Sequence, residues 1–301
     1  MRPHTTGSAR RAVILTALEV EHAAVVQHLS GPLSEHDERG LLFDIGSFEG
    51  RDRWIVAVAQ AGPGNLGAGI VLERAVTAFR PDVAIFVGIA GGRKDVRHGD
   101  VVVADAVYDY ETGKAENTDY LPRVKTFAPS FGLLQRSRAV AREDHWPDLA
   151  RPALVRPAAS ARRPAAFVKP IAAGSKVIAG GRSEIARFLT HNCGDALAVD
   201  MESYGFLHGA YVNSDLATLV VRGISDLLDD KTPGNDRDWQ EPAANNAAAF
   251  AFAVLEKLTP TGPPPRESAR FTQSNQPATG GTVNAYQGTG DQIIQNRTVK
   301  P

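Results

Sequence analysis

The chain has 301 residues, 43% hydrophobic and 22% charged, with a formal net charge of −1. That is the composition of a globular protein with room for one large domain or two small ones, and its near-neutrality removes any electrostatic case for nucleic acid as the main partner. A single cysteine, Cys193, excludes an intramolecular disulfide framework and suits a reducing, cytoplasmic setting; no apolar run approaches the length of a membrane span, so no membrane partner is expected.

At the N-terminus, MRPHTTGSARRAVILTAL sets basic residues ahead of apolar ones. The apolar run lasts seven residues before Glu19 and no small-residue cleavage site follows, so residues 1–11 are expected to be a disordered tail rather than a signal peptide. Elements then follow in order. AVIL (12–15) reads as a strand, 19–29 as a helix, WIVAVA (54–59) as a strand, and 65–79 as a helix stopped by Arg80-Pro81. VAIFVG (83–88) and VVVADAV (101–107) are strands. KVIAG (176–180) is a strand, 183–191 a helix with Ser183 as N-cap, ALAVD (196–200) a strand and 201–212 a helix. ATLVVRGIS (217–225) is a strand, and 241–258 a helix with Pro242 in its first turn. Strands that are apolar throughout are covered on both faces, and their alternation with helices predicts an α/β three-layer sandwich.

Residues 108–170 break the rhythm. They are rich in Arg, Pro and Ala, hold one clear helix near 130–142, and read as an insertion on the rim. After 258 the composition changes: 259–277 reads as a flexible linker. Between Phe271 and Asn296 the only charged residue is Asp291, and 278–301 mixes Asn, Gln and Gly with Val283, Tyr286, Ile293 and Ile294. Those are ingredients of stacked cross-β structure, although the composition equally suits a disordered tail.

Ligands of open α/β sheets bind beyond the carboxyl ends of the strands. Reading only those ends gives Glu21 after the first strand and the glycine-rich turn Gly88-Ile89-Ala90-Gly91-Gly92. Further along it gives Asp200, Met201 and Glu202 after ALAV, then Ser225 and Asp226 after LVVRGI. Singly these are weak signals. Glu21 is equally an exposed first-turn helix acid, Asp200 and Asp226 are equally N-caps, and Arg222 could simply neutralise Glu202.

Together, AVILTALEVE, VGIAGG…HGDVVVADAV, AVDMES and VVRGISD, in this order and at these separations, resemble the nucleoside phosphorylase/nucleosidase superfamily. Within it they are most similar to the methylthioadenosine/S-adenosylhomocysteine nucleosidases. The resemblance covers about residues 12–258 and implies a nucleoside phosphorylase-like fold with a central mixed sheet. It implies hydrolysis of the N-glycosidic bond of an adenine nucleoside, releasing adenine, with no cofactor or metal, in a cytoplasmic homodimer. Such cleavage needs two carboxyl groups in opposite protonation states. By resemblance, Asp226 is the acid that protonates the leaving purine, oriented by Ser225, and Glu21 is the base that takes a proton from water. Glu202 grips the ribose hydroxyls, Met201 packs on the sugar, and Ile178 offers its backbone to the base. Ile89, Ala90 and Gly91 border the reacting ribose, and Val177 stands where the family often has an aromatic stacker. Ile89 replaces a usual serine. Phosphorolysis needs a cationic cradle, whereas Glu21 occupies the first loop and no arginine precedes the glycine turn, which favours water as nucleophile. A catalytically silent nucleoside sensor is the reading from another class.

The basic residues of 108–170, among them Arg123, Lys125, Arg136, Arg138, Arg162, Arg163 and Lys169, are either a solvated face or a cradle for a phosphorylated 5′ end. The second choice would make AMP or ATP the substrate. The segment at 278–301 resembles the amyloid-signalling motifs of bacterial and fungal cell-death effectors, which implies an NTPase receptor with a matching motif as partner and a nucleosidase triggered through its tail.

Overall fold

Apolar runs without alternation set the architecture. In β1 (Arg10–Thr16), Ala12 and Ile14 enter one core while Val13 and Leu15 enter another, so both faces of the strand are covered. The computed structural model describes residues 9–117, 120–152, 162–178, 180–181, 183–213, 215–228 and 233–258. The linker expected at 259–277 and the tail at 278–301 lie outside the described residues. So does most of the expected N-terminal tail, whose last two positions, Arg10 and Arg11, already belong to β1.

After β1 come α1 (Glu19–Val26), β2 (Ser30–Glu38), β3 (Leu41–Glu49), β4 (Arg53–Gln60) and α2 (Asn65–Phe79). Next are β5 (Val83–Gly92), β6 (Val101–Val103), β7 (Val107–Asp109), β8 (Gly113–Ala115), β9 (Tyr120–Pro122), β10 (Lys125–Phe127) and α3 (Phe131–Ala141). A 3-10 turn (Trp146–Leu149) leads to β11 (Ala166–Val168), β12 (Ile171–Ala173), α4 (Glu184–Asn192), β13 (Ala198–Asp200) and α5 (Ser203–Tyr211). The last two elements are β14 (Ala217–Leu227) and α6 (Pro233–Glu256). All but β8 and β9, which form their own hairpin, join one mixed sheet. β5 is its hub. β1 lies parallel to it through Ala12–Leu15, β14 lies parallel on the opposite edge, and β13 joins antiparallel at Gly91 and Gly92. Side chains of α1, α3 and α6 cover one face, those of α2 and α5 the other, which is the expected three-layer sandwich.

Several expectations need correction. Among the described residues of KVIAG, 176–178 and 180, none is in a strand; the strand lies earlier, at Ile171–Ala173, between β7 and β13. Its IAA sequence has little β-propensity of its own, and the partners on both sides decide its conformation. Residues 88–92 are not a turn but the end of β5, ordered by β14 and β13. VVVADAV is two strands, broken at residues 104–106. The last helix begins at Pro233, and Pro242 lies in its interior. Finally, 108–170 is woven into the fold: β7 and β10 extend the sheet, while Leu133, Leu134, Val140 and Trp146 enter the core. The helix expected near 130–142 is α3, and its buried apolar stripe packs it into the core despite the arginines around it. The hairpin β2–β3 was missed because β2, SGPLSEHDE, is an exposed polar edge strand.

Candidate active site

The carboxyl ends of β1, β5, β13 and β14 converge on a cavity of about 290 Å³. All ten residues singled out above line it: Glu21, Ile89, Ala90, Gly91, Val177, Ile178, Met201, Glu202, Ser225 and Asp226. These ten come from five chain segments far apart in sequence, brought together around β5, which is paired on both edges.

Glu21 is not an exposed helix acid; it is 1% exposed. Its Oε2 accepts from the backbone N–H groups of Ala17 (2.7 Å) and Leu18 (2.9 Å), and its Oε1 accepts from Ile89 N–H (2.8 Å). The carboxylate thus closes the start of α1 and ties β1 to β5 with one side chain. A carboxylate has about four acceptor sites, so one remains, on Oε1. Burial raises the Glu21 pKa above the ordinary carboxylate value, opposed by Arg222 and by those three N–H donors.

Arg222, on β14, is fully buried behind the cavity. Its Nε donates to Asp200 Oδ2 at 2.7 Å and its Nη2 to Glu202 Oε2 at 3.4 Å, and its guanidinium lies 4.4 Å from the Phe86 ring centroid. Burial works against the Arg222 charge, yet Asp200, Glu202 and Glu21 around it hold its pKa above the ordinary value. Gly88 makes this arrangement fit. A Cβ there would meet Arg222 Nη1 at 2.2 Å and Glu21 Oε1 at 2.6 Å, so the glycine admits two protein side chains rather than a ligand. Glu202 also accepts from Gly64 N–H at 3.0 Å. Burial, with Asp200 and Glu21 nearby, pushes the Glu202 pKa up to about 7 against the pull of Arg222 and Gly64. Three carboxyl groups share one buried cation, and raised pKa values on two of them are the expected response.

The capping readings resolve differently for the two aspartates. Asp200 accepts from Ser203 N–H at 3.3 Å and from the Ser203 hydroxyl, so it serves α5 as well as Arg222. Asp226 lies inside β14, within a register shift between Ile224 and Asp226, and its Oδ2 accepts from the Ser225 hydroxyl at 3.1 Å. That irregularity turns two successive residues, Ser225 and Asp226, toward the same cavity. Ile178 is buried, whereas Val177 stands 65% exposed at the mouth.

None of Arg123, Lys125, Arg136, Arg138, Arg162, Arg163 and Lys169 lines this cavity; its cationic lining residue is Lys176, paired with Glu111 at 3.1 Å. Residues that sequence reasoning missed are Pro63, Lys176 and Gln240, along with Gly64 behind Glu202. A signal for two of them was present: AGPGN (61–65) follows the carboxyl end of β4, as the other site loops follow theirs. Gln240 had none. Among the described residues no group of His, Cys, Asp and Glu is arranged to hold a metal ion, and no helix is long and apolar enough to cross a membrane.

This convergence of strand ends is that of a known family. The chain belongs to the phosphorylase superfamily, whose model matches residues 11–259. Among solved structures, it is similar to futalosine hydrolase of Helicobacter pylori strain 26695 at 19% identity and TM-score 0.67, over 83% of this chain and 99% of that one. It is similar to the 5′-methylthioadenosine/S-adenosylhomocysteine nucleosidase of Helicobacter pylori, bound to butyl-thio-DADMe-Immucillin-A, at 20% and 0.68, over 84% and 100%. The corresponding nucleosidase of Colwellia psychrerythraea 34H, in complex with adenine, matches at 21% and 0.66, over 82% and 95%. At such identities the likeness is one of fold.

Proposed function

We propose that the chain hydrolyses the N-glycosidic bond of an adenine nucleoside of the methylthioadenosine/S-adenosylhomocysteine type, releasing adenine. The observation that carries this reading is that two carboxyl groups from distant parts of the chain, Glu21 from α1 and Asp226 from β14, line one small cavity. Glu21 keeps one acceptor site on Oε1 and a raised pKa, which suits a base that takes a proton from water near neutrality. Asp226, oriented by the Ser225 hydroxyl, donates to the departing purine. As C1′ loses the base it gains oxocarbenium character, and the buried carboxylates stabilise the developing positive charge. Glu202 and Met201 hold the ribose, charge against hydroxyls and thioether against carbon. Ile178 and Val177 border the base.

The choice of water over phosphate is supported by the state of Arg222. It lies behind the cavity with its charge matched by Asp200 and Glu202, so it offers no anion cradle of the kind phosphorolysis needs. Adenine measured by chromatography, with and without phosphate, tests the reading. The substrates are methylthioadenosine, S-adenosylhomocysteine, adenosine, AMP and ATP, with Asp226→Asn as control. Phosphate-independent adenine from the thio-nucleosides is expected. Base release that requires phosphate would overturn the hydrolytic reading.

A second reading, a defence-type nucleosidase acting on AMP or ATP, rests on Lys176 at the mouth and on the composition of 278–301. In that reading the tail seeds on a receptor and concentrates the enzyme. A peptide of residues 278–301 then forms fibres with a 4.7–4.8 Å reflection; a peptide that stays soluble removes this regulatory layer. Assembly as a homodimer is supported by one apolar surface. Leu66 and Ile70 of α2 lie exposed, as do Tyr211 and Val212 at the end of α5, and the two helices pack side by side.

A further inference from the structure

A second cavity, of about 680 Å³, opens beside the first, and neither the proposed chemistry nor the fold uses it. Four arginines line it, Arg97, Arg151, Arg162 and Arg163, against two carboxylates, Asp100 and Asp148. Arg162 is engaged with Asp100 at 3.2 Å and Arg163 with Asp148 at 3.0 Å. Among the described residues Arg97 and Arg151 make no ion pair. The lining therefore carries an excess of positive charge held on planar, forked donors, the side chain best matched to phosphate oxygens.

Two further features give this cavity a second specificity. Asn245 of α6 is 2% exposed, and both its Oδ1 and its Nδ2 lack a hydrogen-bond partner. A buried amide with donor and acceptor both unmet is rare in a folded protein. It presents the side-by-side pair that matches an amide-like ring edge, such as N6 and N7 of adenine. The rings of His98 and Trp239 stack at 5.3 Å between centroids in the same lining, and His98 Nε2 is likewise buried without a partner. Gly99, at φ +81°, lets the Trp239 ring lie 3.0 Å from where a Cβ would stand. Guanidinium groups, a stacked aromatic wall and an unmet amide together describe one ligand chemistry: a planar heterocycle carrying phosphate. The volume lies within the range of small-molecule sites.

We propose that this cavity is a second binding site, for a purine nucleotide, separate from the nucleosidase cavity. The two cavities share a wall. On β14, Leu227 lines the second while Ser225 and Asp226, with Leu228 just beyond the strand, line the first; on α6, Trp239 lines the second and Gln240 the first. A nucleotide held against Trp239 and Asn245 contacts the same turns of α6 that border the active site. The site is thereby placed to report nucleotide level to the enzyme.

The test is calorimetric titration of ATP, AMP and pyrophosphate into the full-length chain and its variants. ATP is expected to bind with sub-millimolar Kd, to survive Glu21→Gln/Asp226→Asn, and to weaken at least ~tenfold in Arg97→Glu/Arg151→Glu. Added KCl should weaken it further. Should the double charge reversal fail to melt cooperatively, Arg151→Ala alone serves with the same expectation of weaker binding. Pyrophosphate binding as tightly as ATP would remove the heterocycle from the proposal. Binding lost in Glu21→Gln/Asp226→Asn but kept in the arginine variants would assign it to the first cavity and overturn the second site, as would no ATP binding at all.

Discussion

The two cavities on either side of β14 use charge in opposite ways. In the first, three carboxyl groups crowd one arginine that is wholly removed from water, with Asp200 at 2.7 Å and Glu202 at 3.4 Å. In the second, arginines outnumber carboxylates, stand on loops with their side chains largely exposed, and surround an amide with no partner. The first is compensated in charge within the chain, although Arg222 Nη1 is buried without a hydrogen-bond partner, and it is preorganised, as a site that must hold protons on particular atoms requires. The second is unsatisfied and looks for its partner outside the chain. Burial with internal compensation suits chemistry, and exposed charge beside an orphaned polar group suits recognition.

The largest effects should come from the first region. Glu21→Gln and Asp226→Asn are each expected to lower kcat/KM for adenine release by on the order of 10²–10⁴, while leaving the thermal midpoint unchanged or higher. An unfolded variant rather than an inactive one would mean that Glu21 serves only to close α1. Arg222→Met should cost about 3–5 kcal/mol in urea denaturation, because Asp200 and Glu202 would remain buried without their cation; a loss under ~1 kcal/mol would mean that water compensates them. Gly88→Ala should damage both stability and activity, since its Cβ meets Arg222 Nη1 and Glu21 Oε1. That is a steric effect, so it should persist in a Glu21→Ala background only as far as Arg222 alone imposes it.

A smaller effect separates protonation from packing. The Glu202 pKa is raised in the folded protein to about 7 from an ordinary 4.5. Between those values the unfolded chain ionises and the folded chain resists, so this group reduces stability as pH climbs through the window and contributes nothing below it. Wild-type thermal midpoints should therefore fall from pH 4.5 toward 7, and Glu202→Gln should flatten that part of the profile. Smallest of all is a control outside both cavities. Arg53→Ala breaks the exposed pair with Glu49 and should change stability by about 0.2–1 kcal/mol, with adenine release unaltered.

Legibility in the sequence divided along the same line. The strand ends of the first cavity are short motifs in which carboxylates follow apolar runs directly, so Glu21, Glu202, Ser225 and Asp226 could be picked from local pattern and resemblance. Their neighbours in space could not. Gln240 sits mid-helix with no mark, and Lys176 lies in what had seemed a strand. The arginines of 108–170 carried a visible charge signal but no address. Sequence left them as either a solvated face or a cradle for the 5′ end of a substrate, and the fold places Arg162 and Arg163 at the second cavity.

What the sequence by itself determined is the layering: apolar runs without alternation demand cover on both faces, and helical periods between them supply it. It also offered the candidate carboxyl groups Glu21, Glu202 and Asp226, which became specific only through the order and spacing of the four motifs that carry the resemblance. Tertiary structure alone decided the pairing of β5 with β1, β13 and β14, the use of Gly88 to admit Arg222 and Glu21, and the division of β14 between two cavities. Those outcomes depend on contacts between residues as much as 200 positions apart, as in Glu21 and Arg222, and no local pattern encodes a distance that only closure of the sheet brings about.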